Sequence, residues 1–388
     1  MATLTRSGVS TSVAERPRRR SDVVMLASVL ALSGFGLLMI YSATRFANER
    51  NDQLSTLSME RQMVFVTAGL ILLVLFSLVD YRELRNFLVP IYAATVVGLV
   101  VVFLFPEVKG ARRWIDLGAF KLQPAEFSKL IGILAVAAVL SARRSTERLP
   151  WRRIFFSGVV MVPLWVLVLL EPDLGTALVL PFVWLVMVFA GGANWKQMTW
   201  IVVAGGLVVL AAFKFDFFQA HQWDRIHAWL DPQFDPQGIG FQLIQSKRAI
   251  GAGQLLGRGL FQGTQTNLAY IPEQENDFIF TAIGEQLGFV GGVLVLAAFL
   301  VVLWRLLAIS ANSRDRFGAM AAIGIAAMIG FHVSVNIGMT VGLAPVTGLP
   351  LPFISQGGSF YLTMAMAIGV ANSIWLRRSP VPGQTFDV

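Results

Sequence analysis

Long apolar blocks alternate with short polar ones along almost the whole chain. The blocks run Val23 to Tyr41, Met63 to Val79, Phe87 to Phe105, Pro124 to Ala142 and Ile154 to Leu170. They continue with Leu174 to Ala190, Met198 to Phe213, Asp277 to Leu303, Phe317 to Val341 and Phe353 to Leu376. A bilayer core takes about 20 apolar residues per helix, so the pattern predicts an all-α, polytopic integral membrane protein with about ten transmembrane helices. The polar interval of residues 214–276 is too long for a tight connection and predicts one large extramembrane loop, rich in turns such as Asp231-Pro232 and Asp235-Pro236. Residues 1–22 predict a disordered basic tail, residues 23–376 a single transmembrane domain, and residues 377–388 a second short tail. No short apolar stretch with a small-residue cleavage site follows Arg16–Arg20, so the first block reads as a retained helix and not a signal peptide.

Composition narrows the function classes. Of the 388 residues, 55% are hydrophobic and only 14% charged, where a soluble domain has about a quarter charged. The net charge of +8 does not imply nucleic acid, since basic residues in membrane proteins set topology and touch anionic lipid, and no basic-aromatic module is present. Cysteine is absent, which excludes disulfides, thiolate catalysis and cysteine-bound metals. His221, His227 and His332 show no metal spacing; His332, inside an apolar run, reads as a packed, hydrogen-bonded residue.

Basic residues orient the spans. With a cytoplasmic N-terminus, Arg82, Arg85, Arg143, Arg144, Arg148, Arg152, Arg153, Lys196, Arg305, Arg314, Arg316, Arg377 and Arg378 all fall inside. This predicts two cytoplasmic termini, an outer loop at 214–276 and Asp277 at the outer interface. One outer connection breaks the rule with Lys109, Arg112, Arg113, Lys121 and Lys129. Two uses remain open for these groups: snorkelling to lipid phosphates, or holding an anionic ligand.

Polar groups at membrane depth are expensive unless paired or useful. Glu126 and Lys129, three apart, share a helix face and form either a structural ion pair or a cavity wall. Glu171 and Asp173 flank Pro172 in a tight turn, where they could simply solvate it. Glu285, eight residues or about 12 Å beyond Asp277, is expected to face the protein interior. The run Gly342–Pro352 is apolar but full of helix breakers, and is tolerated only against protein or a cavity. Ser355-Gln-Gly-Gly-Ser359 follows with small polar groups. Asp277 itself, or Asn276, either caps the next helix or serves chemistry. Walker, dinucleotide, serine-triad and zinc motifs are missing.

Together these pieces resemble the SEDS (shape, elongation, division and sporulation) family. The resemblance rests on Gly110-Ala-Arg-Arg-Trp-Ile115, Gln123-Pro-Ala-Glu-Phe-Ser-Lys129, Glu171-Pro-Asp-Leu-Gly-Thr176, Gly240-Phe-Gln-Leu-Ile-Gln-Ser246 and Ile271-Pro-Glu273. It continues through Asp277-Phe-Ile-Phe280, Gly284-Glu285, Asn336-Ile-Gly-Met339 and Gly357-Gly-Ser359. Gly263-Thr-Gln265 and Pro345-Val-Thr-Gly348 resemble the RodA branch more than the FtsW branch. Three positions depart from the family pattern: Glu275-Asn276 precedes the acid in place of His-Thr, Gln286 replaces a second Glu, and Gln356 and Phe360 stand in a Tyr-Gly-Gly-Ser-Ser pattern.

The resemblance implies a peptidoglycan glycosyltransferase of the bacterial cytoplasmic membrane that polymerises lipid II for cell elongation. The growing glycan on undecaprenyl pyrophosphate would be the donor, and lipid II the acceptor. It implies Asp277 as general base, Arg112, Arg113 and Lys121 as partners of pyrophosphate charge, and Glu126, Lys129, Ser355 and Ser359 as further substrate-binding residues. It also implies a class B penicillin-binding protein as transpeptidase partner. A divalent cation, magnesium or manganese, could share the charge, but no dedicated metal motif is visible. Two other classes stay open: a lipid II flippase, against which the lack of paired discontinuous spans argues mildly, and a non-enzymatic membrane scaffold.

Overall fold

The computed structural model describes residues 20–50, 56–107, 111–118, 120–142, 149–215, 220–235, 238–268 and 270–378. The tails up to residue 19 and from residue 379, together with Lys109, Arg143, Arg144 and Arg148, lie outside these residues. The first helices are α1 (Val23–Arg50), α2 (Leu57–Leu78), the short α3 (Tyr81–Asn86), α4 (Leu88–Val101), α5 (Pro124–Ser141), α6 (Trp151–Leu170), α7 (Leu174–Ala190) and α8 (Trp195–Lys214). Then come α9 (Ala220–Leu230), α10 (Ile239–Gly253), α11 (Thr264–Asn267), α12 (Ile279–Ala311), α13 (Arg316–Val341) and α14 (Gly358–Leu376). Seven of these are long and apolar enough to cross a bilayer, and α4, α7 and α8 are shorter apolar helices. Each of the ten predicted apolar blocks thus holds one of these apolar helices, seven of them long enough to span.

The centre of the bundle is α5, α13 and α14, whose most apolar windows are 72%, 67% and 83% buried, against 28% for α2 and α6. Lipid offers helices no hydrophobic reason to associate, so close van der Waals packing must hold them. Small residues provide it: a Cβ on Gly69 would lie 2.6 Å from the Tyr361 ring, and one on Gly324 2.5 Å from Ile133.

Charge collects at one end of the bundle. Arg305 of α12 meets Asp22, just before α1, at 2.7 Å, and the Asp22 amide donates to Asn372 of α14. Arg82 reaches Asp315 at 3.1 Å and Arg377 reaches Asp80 at 3.3 Å. Both ends of the described chain lie here: Asp22 ties the first span to α12 by a charge pair and to the last span by a hydrogen bond, and Arg377 ties the last span to Asp80.

The opposite end carries the long loop and a small hairpin, β1 (Ile115–Asp116) with β2 (Lys121–Leu122). The loop is largely helical, which its turn-rich sequence did not suggest. Leu243, Ser246 and Ala249, three apart on α10, are buried. Ser246 Oγ donates to the Thr340 carbonyl of α13 at 2.7 Å and lies 2.7 Å from Thr281 Oγ1 of α12.

Two irregular segments shape this end. Helix α12 breaks at Gly288, where φ is 64° and ψ −161°. The loop supplies the missing partners: Arg258 and Gly259 N–H donate to the Glu285 and Gln286 carbonyls, and Phe289 and Val290 N–H donate to Gln254 and Leu255. Glu285 faces inward as expected and accepts from Gln265 and Thr266 N–H at 2.7 and 2.9 Å. The second irregular segment is the breaker run after α13. Its carbonyls are taken by Trp229 (at Gly342, 3.1 Å), Arg225 (at Val346, 3.2 Å) and Asn336 (at Leu349, 2.7 Å). Such backbone survives at depth because protein groups replace water. The last helix starts at Gly358 and not Phe353, since residues 352–355 form a turn with Phe353 at a φ of 64°.

Candidate active site

Asp277 lies in the turn between α11 and α12. The first residue of α12 is Ile279 and its N-cap position is Phe278, with no side-chain cap bond. Neither Asp277 nor Asn276 caps the helix; Asn276 donates to the Glu273 carboxylate instead. The Asp277 backbone is fixed at both ends. Its N–H donates to the Glu273 carbonyl at 3.1 Å, and its carbonyl accepts from Asn336 Nδ2 at 2.8 Å. The half-buried carboxylate accepts no hydrogen bond among the described residues. Burial pushes it up to about 6; Arg225 and Arg113 oppose that shift, and Glu273 and Asp173 add to it.

Gly348 of the breaker run keeps the space beside the carboxylate open. A Cβ there would lie 3.4 Å from Asp277 Oδ2 and 3.9 Å from Arg225 Nη1. Its φ of +75° is one that residues with a side chain adopt only with strain. Burial lowers the Arg225 guanidinium below its ordinary value, and Asp277 opposes this.

A second charged group adjoins the first. Arg113, beside β1, lies 4.0 Å from Asp173. Asp173 also accepts from Gln123 Nε2 at 2.8 Å and caps α7 through the Thr176 N–H at 3.2 Å. Glu171 is buried, and neither of its oxygens has a hydrogen-bond partner. Burial first, and then Asp173, push it up to about 9 against the pull of Arg113, so at neutral pH it keeps its proton. The turn that could merely have been solvated is part of the site.

Deeper in the bundle, Lys129 Nζ meets Glu126 at 2.7 Å and His332 Nε2 at 3.2 Å. His332 Nδ1 lies 3.2 Å from the Pro350 carbonyl, which fixes the tautomer: Nδ1–H donates and Nε2 accepts from the ammonium. His332 is the packed, hydrogen-bonded residue its position suggested.

The predicted residues separate into three groups. Asp277 and Arg113 join one charged cluster with Arg225, Glu171 and Asp173, and Asp173 extends it to Glu126 and Lys129. Ser355 and Ser359 serve backbone: Ser355 Oγ accepts from Leu351 N–H, and Ser359 Oγ accepts from Gln123 N–H while donating to the Lys121 carbonyl. Arg112 and Lys121 are exposed at the rim, where Arg112 donates to the Phe103 carbonyl. Sequence reasoning missed Arg225. Its signal was an arginine among Trp223, His227 and Trp229 in an amphipathic stretch of the loop. No group of three or more His, Asp or Glu side chains among the described residues is placed to hold a metal ion.

The family model for FtsW, RodA and SpoVE, described as cell cycle protein, matches residues 23–379. FtsW of Trichlorobacter lovleyi is 36% identical over 369 residues, covering 94% of this chain and 96% of that protein. The peptidoglycan glycosyltransferase MrdB of Escherichia coli is 34% identical over 362 residues, covering 92% and 94%. A chain from a solved peptidoglycan synthase complex, described as coordinating polymerization and crosslinking, superposes with a TM-score of 0.78 at 30% identity, covering 93% of this chain and 99% of that one.

Proposed function

We infer the function of this chain from the family to which it belongs, the SEDS family of FtsW, RodA and SpoVE. It is a peptidoglycan glycosyltransferase that polymerises lipid II at the outer face of the membrane, with residues 23–376 as one catalytic unit and both termini cytoplasmic. The observation that carries this reading is the Asp277 carboxylate: fixed by its backbone, free of hydrogen bonds among the described residues, and beside a guanidinium.

In the reaction, Asp277 takes the proton of the acceptor 4-hydroxyl of N-acetylglucosamine as that oxygen attacks the anomeric carbon of the donor glycan. The bond from that carbon to undecaprenyl pyrophosphate breaks, the pyrophosphate leaves with the electron pair, and the configuration inverts to β-1,4. Arg113 offsets charge on the leaving pyrophosphate from the site wall, and Arg112 and Lys121 do so from the rim. Glu171, neutral at pH 7, spares the site a second negative charge beside Asp173. Glu126, Lys129 and His332 brace the breaker run from beneath, through Pro350.

The complex described for the structural relative supports a crosslinking partner, a class B penicillin-binding protein. A role in elongation rests on Gly263-Thr-Gln265 and Pro345-Val-Thr-Gly348, since identities of 36% to FtsW and 34% to MrdB do not separate the branches. The flippase reading gains one observation, the break in α12 at Gly288, because broken spans recur in transporters. Labelled lipid II given to the detergent-solubilised chain with its partner separates the two, since no membrane needs crossing. Glycan strands are expected. No glycan from an intact complex would overturn the transferase reading in favour of transport.

A further inference from the structure

The outer loop brings a cation to the catalytic acid. On α9, Arg225 and Trp229 are four apart and share a face. Both donate to carbonyls of the breaker run, at Val346 and Gly342, which are also four apart. The helix is thereby clamped along that run, and its guanidinium is delivered beside Gly348, opposite Asp277 Oδ2. Yet Arg225 and Asp277 form no ion pair within 4.0 Å among the described residues, although each senses the other's charge. A part-buried guanidinium, with donors beyond the one spent on Val346, is positioned for more than its own burial.

Distance decides which half of the reaction it serves. In an in-line displacement, base, attacking oxygen, anomeric carbon, leaving oxygen and the leaving group's cation lie in sequence. Two hydrogen bonds and a near-attack gap laid end to end span on the order of 10 Å. The point above Gly348 is 3.4 Å from Asp277 Oδ2 and 3.9 Å from Arg225 Nη1, and these two distances together fall short of that span. Arg225 is too near the base to stand behind the leaving pyrophosphate.

We propose that Arg225 is a positioning residue for Asp277 on the acceptor side: α9 holds its charge beside the carboxylate, and its spare N–H donors face the acceptor sugar. The proposal rests on Asp277 being the base. The charged groups acting on Asp277 are Arg225 from α9, Glu273 from its own turn, Arg113 from beside β1 and Asp173 from the turn before α7. Of these, Arg225 exerts the largest charge effect and favours the ionised acid.

The test is the pH dependence of lipid II polymerisation by the solubilised chain and its partner, comparing the parent with Arg225→Gln and Arg225→Lys. Losing an opposite charge a few ångströms away moves a carboxylate by about one pH unit or more. Arg225→Gln should therefore shift the rising limb upward by about that much, lowering the rate on the limb about tenfold. Arg225→Lys keeps a cation and should leave the limb near the parent's. Melting temperature and partner retention identify a variant that has lost its fold, and Arg225→Lys then carries the comparison: a parental limb with a raised KM supports the proposal, and parental values of both overturn it. An unshifted limb in a folded Arg225→Gln also overturns it, while leaving the transferase reading intact. A parent that makes no glycan removes that reading, and this proposal with it.

Discussion

Asn336 of α13 holds Asp277 in place: its Nδ2 donates to the Asp277 carbonyl at 2.8 Å and to the Leu349 carbonyl at 2.7 Å. One amide group thus joins the turn carrying the acid to the breaker run carrying Gly348. Asn336→Ala leaves both carbonyls without that donor. A stability loss of about 1–3 kcal/mol is expected, from burying unpaired polar groups. The rate should fall about a hundredfold, because the base is free to shift by about 1 Å. Thermal melting and glycan yield check the two effects separately; reduced melting with a parental rate would make Asn336 a brace of the fold alone.

Arg112 and Arg113 are adjacent in sequence but not in role. Arg113 faces Asp173, and Arg112 sits exposed at the rim. Arg113→Gln should therefore weaken polymerisation by about tenfold or more, the scale of one charge-assisted contact, and Arg112→Gln by much less. Steady-state rates across lipid II concentrations measure this, and equal effects would place both at the rim.

How much of this the sequence revealed depended on the kind of signal. Hydropathy located the spans within a few residues wherever the apolar run and the helix coincide, as at Leu174–Ala190. It stopped α1 at Tyr41, because Ser42, Thr44 and Asn48 break the apolar run while the helix continues to Arg50. Two of these polar groups find protein partners, Thr44 in the Ile40 carbonyl of its own helix and Ser42 in Gln286 of α12. The break at Gly288 was invisible, since Leu287-Gly288-Phe289 reads as an unbroken apolar run and the partners that permit the break come from the distant loop. Asp277 and Lys129 were legible as charges where charge is costly. Arg225 was not, because an arginine in a polar loop costs nothing until α9 folds back.

The Glu126–Lys129 pair makes a prediction of its own. Removing either partner strands a buried charge, at a cost of about 3–5 kcal/mol. Glu126→Leu combined with Lys129→Met should regain most of that stability. The rate of the double variant should stay about tenfold below the parent's, since His332 loses the ammonium that helps fix it under Pro350. A double-mutant cycle on melting temperature beside the rates tests this. Full activity in the double variant would mean that the pair serves packing only.

The parent's own pH profile follows from Asp277. Only the ionised carboxylate can accept a proton, and burial holds it at about 6. The rate should therefore rise with pH through about 6 and level off above it. An ordinary aspartate, near about 4, would give a flat rate between about pH 5 and 8. Initial rates of glycan formation across that range distinguish the two.

The most direct measurement is glycan synthesis by Asp277→Asn, in detergent, with its partner and labelled lipid II. Asparagine keeps the volume and the backbone bonds to Glu273 and Asn336, and removes only the base. A folded, partner-bound variant that makes about a hundredfold to ten-thousandfold less glycan than the parent is the predicted result. Equal glycan from both proteins would contradict the assignment of Asp277 as the base.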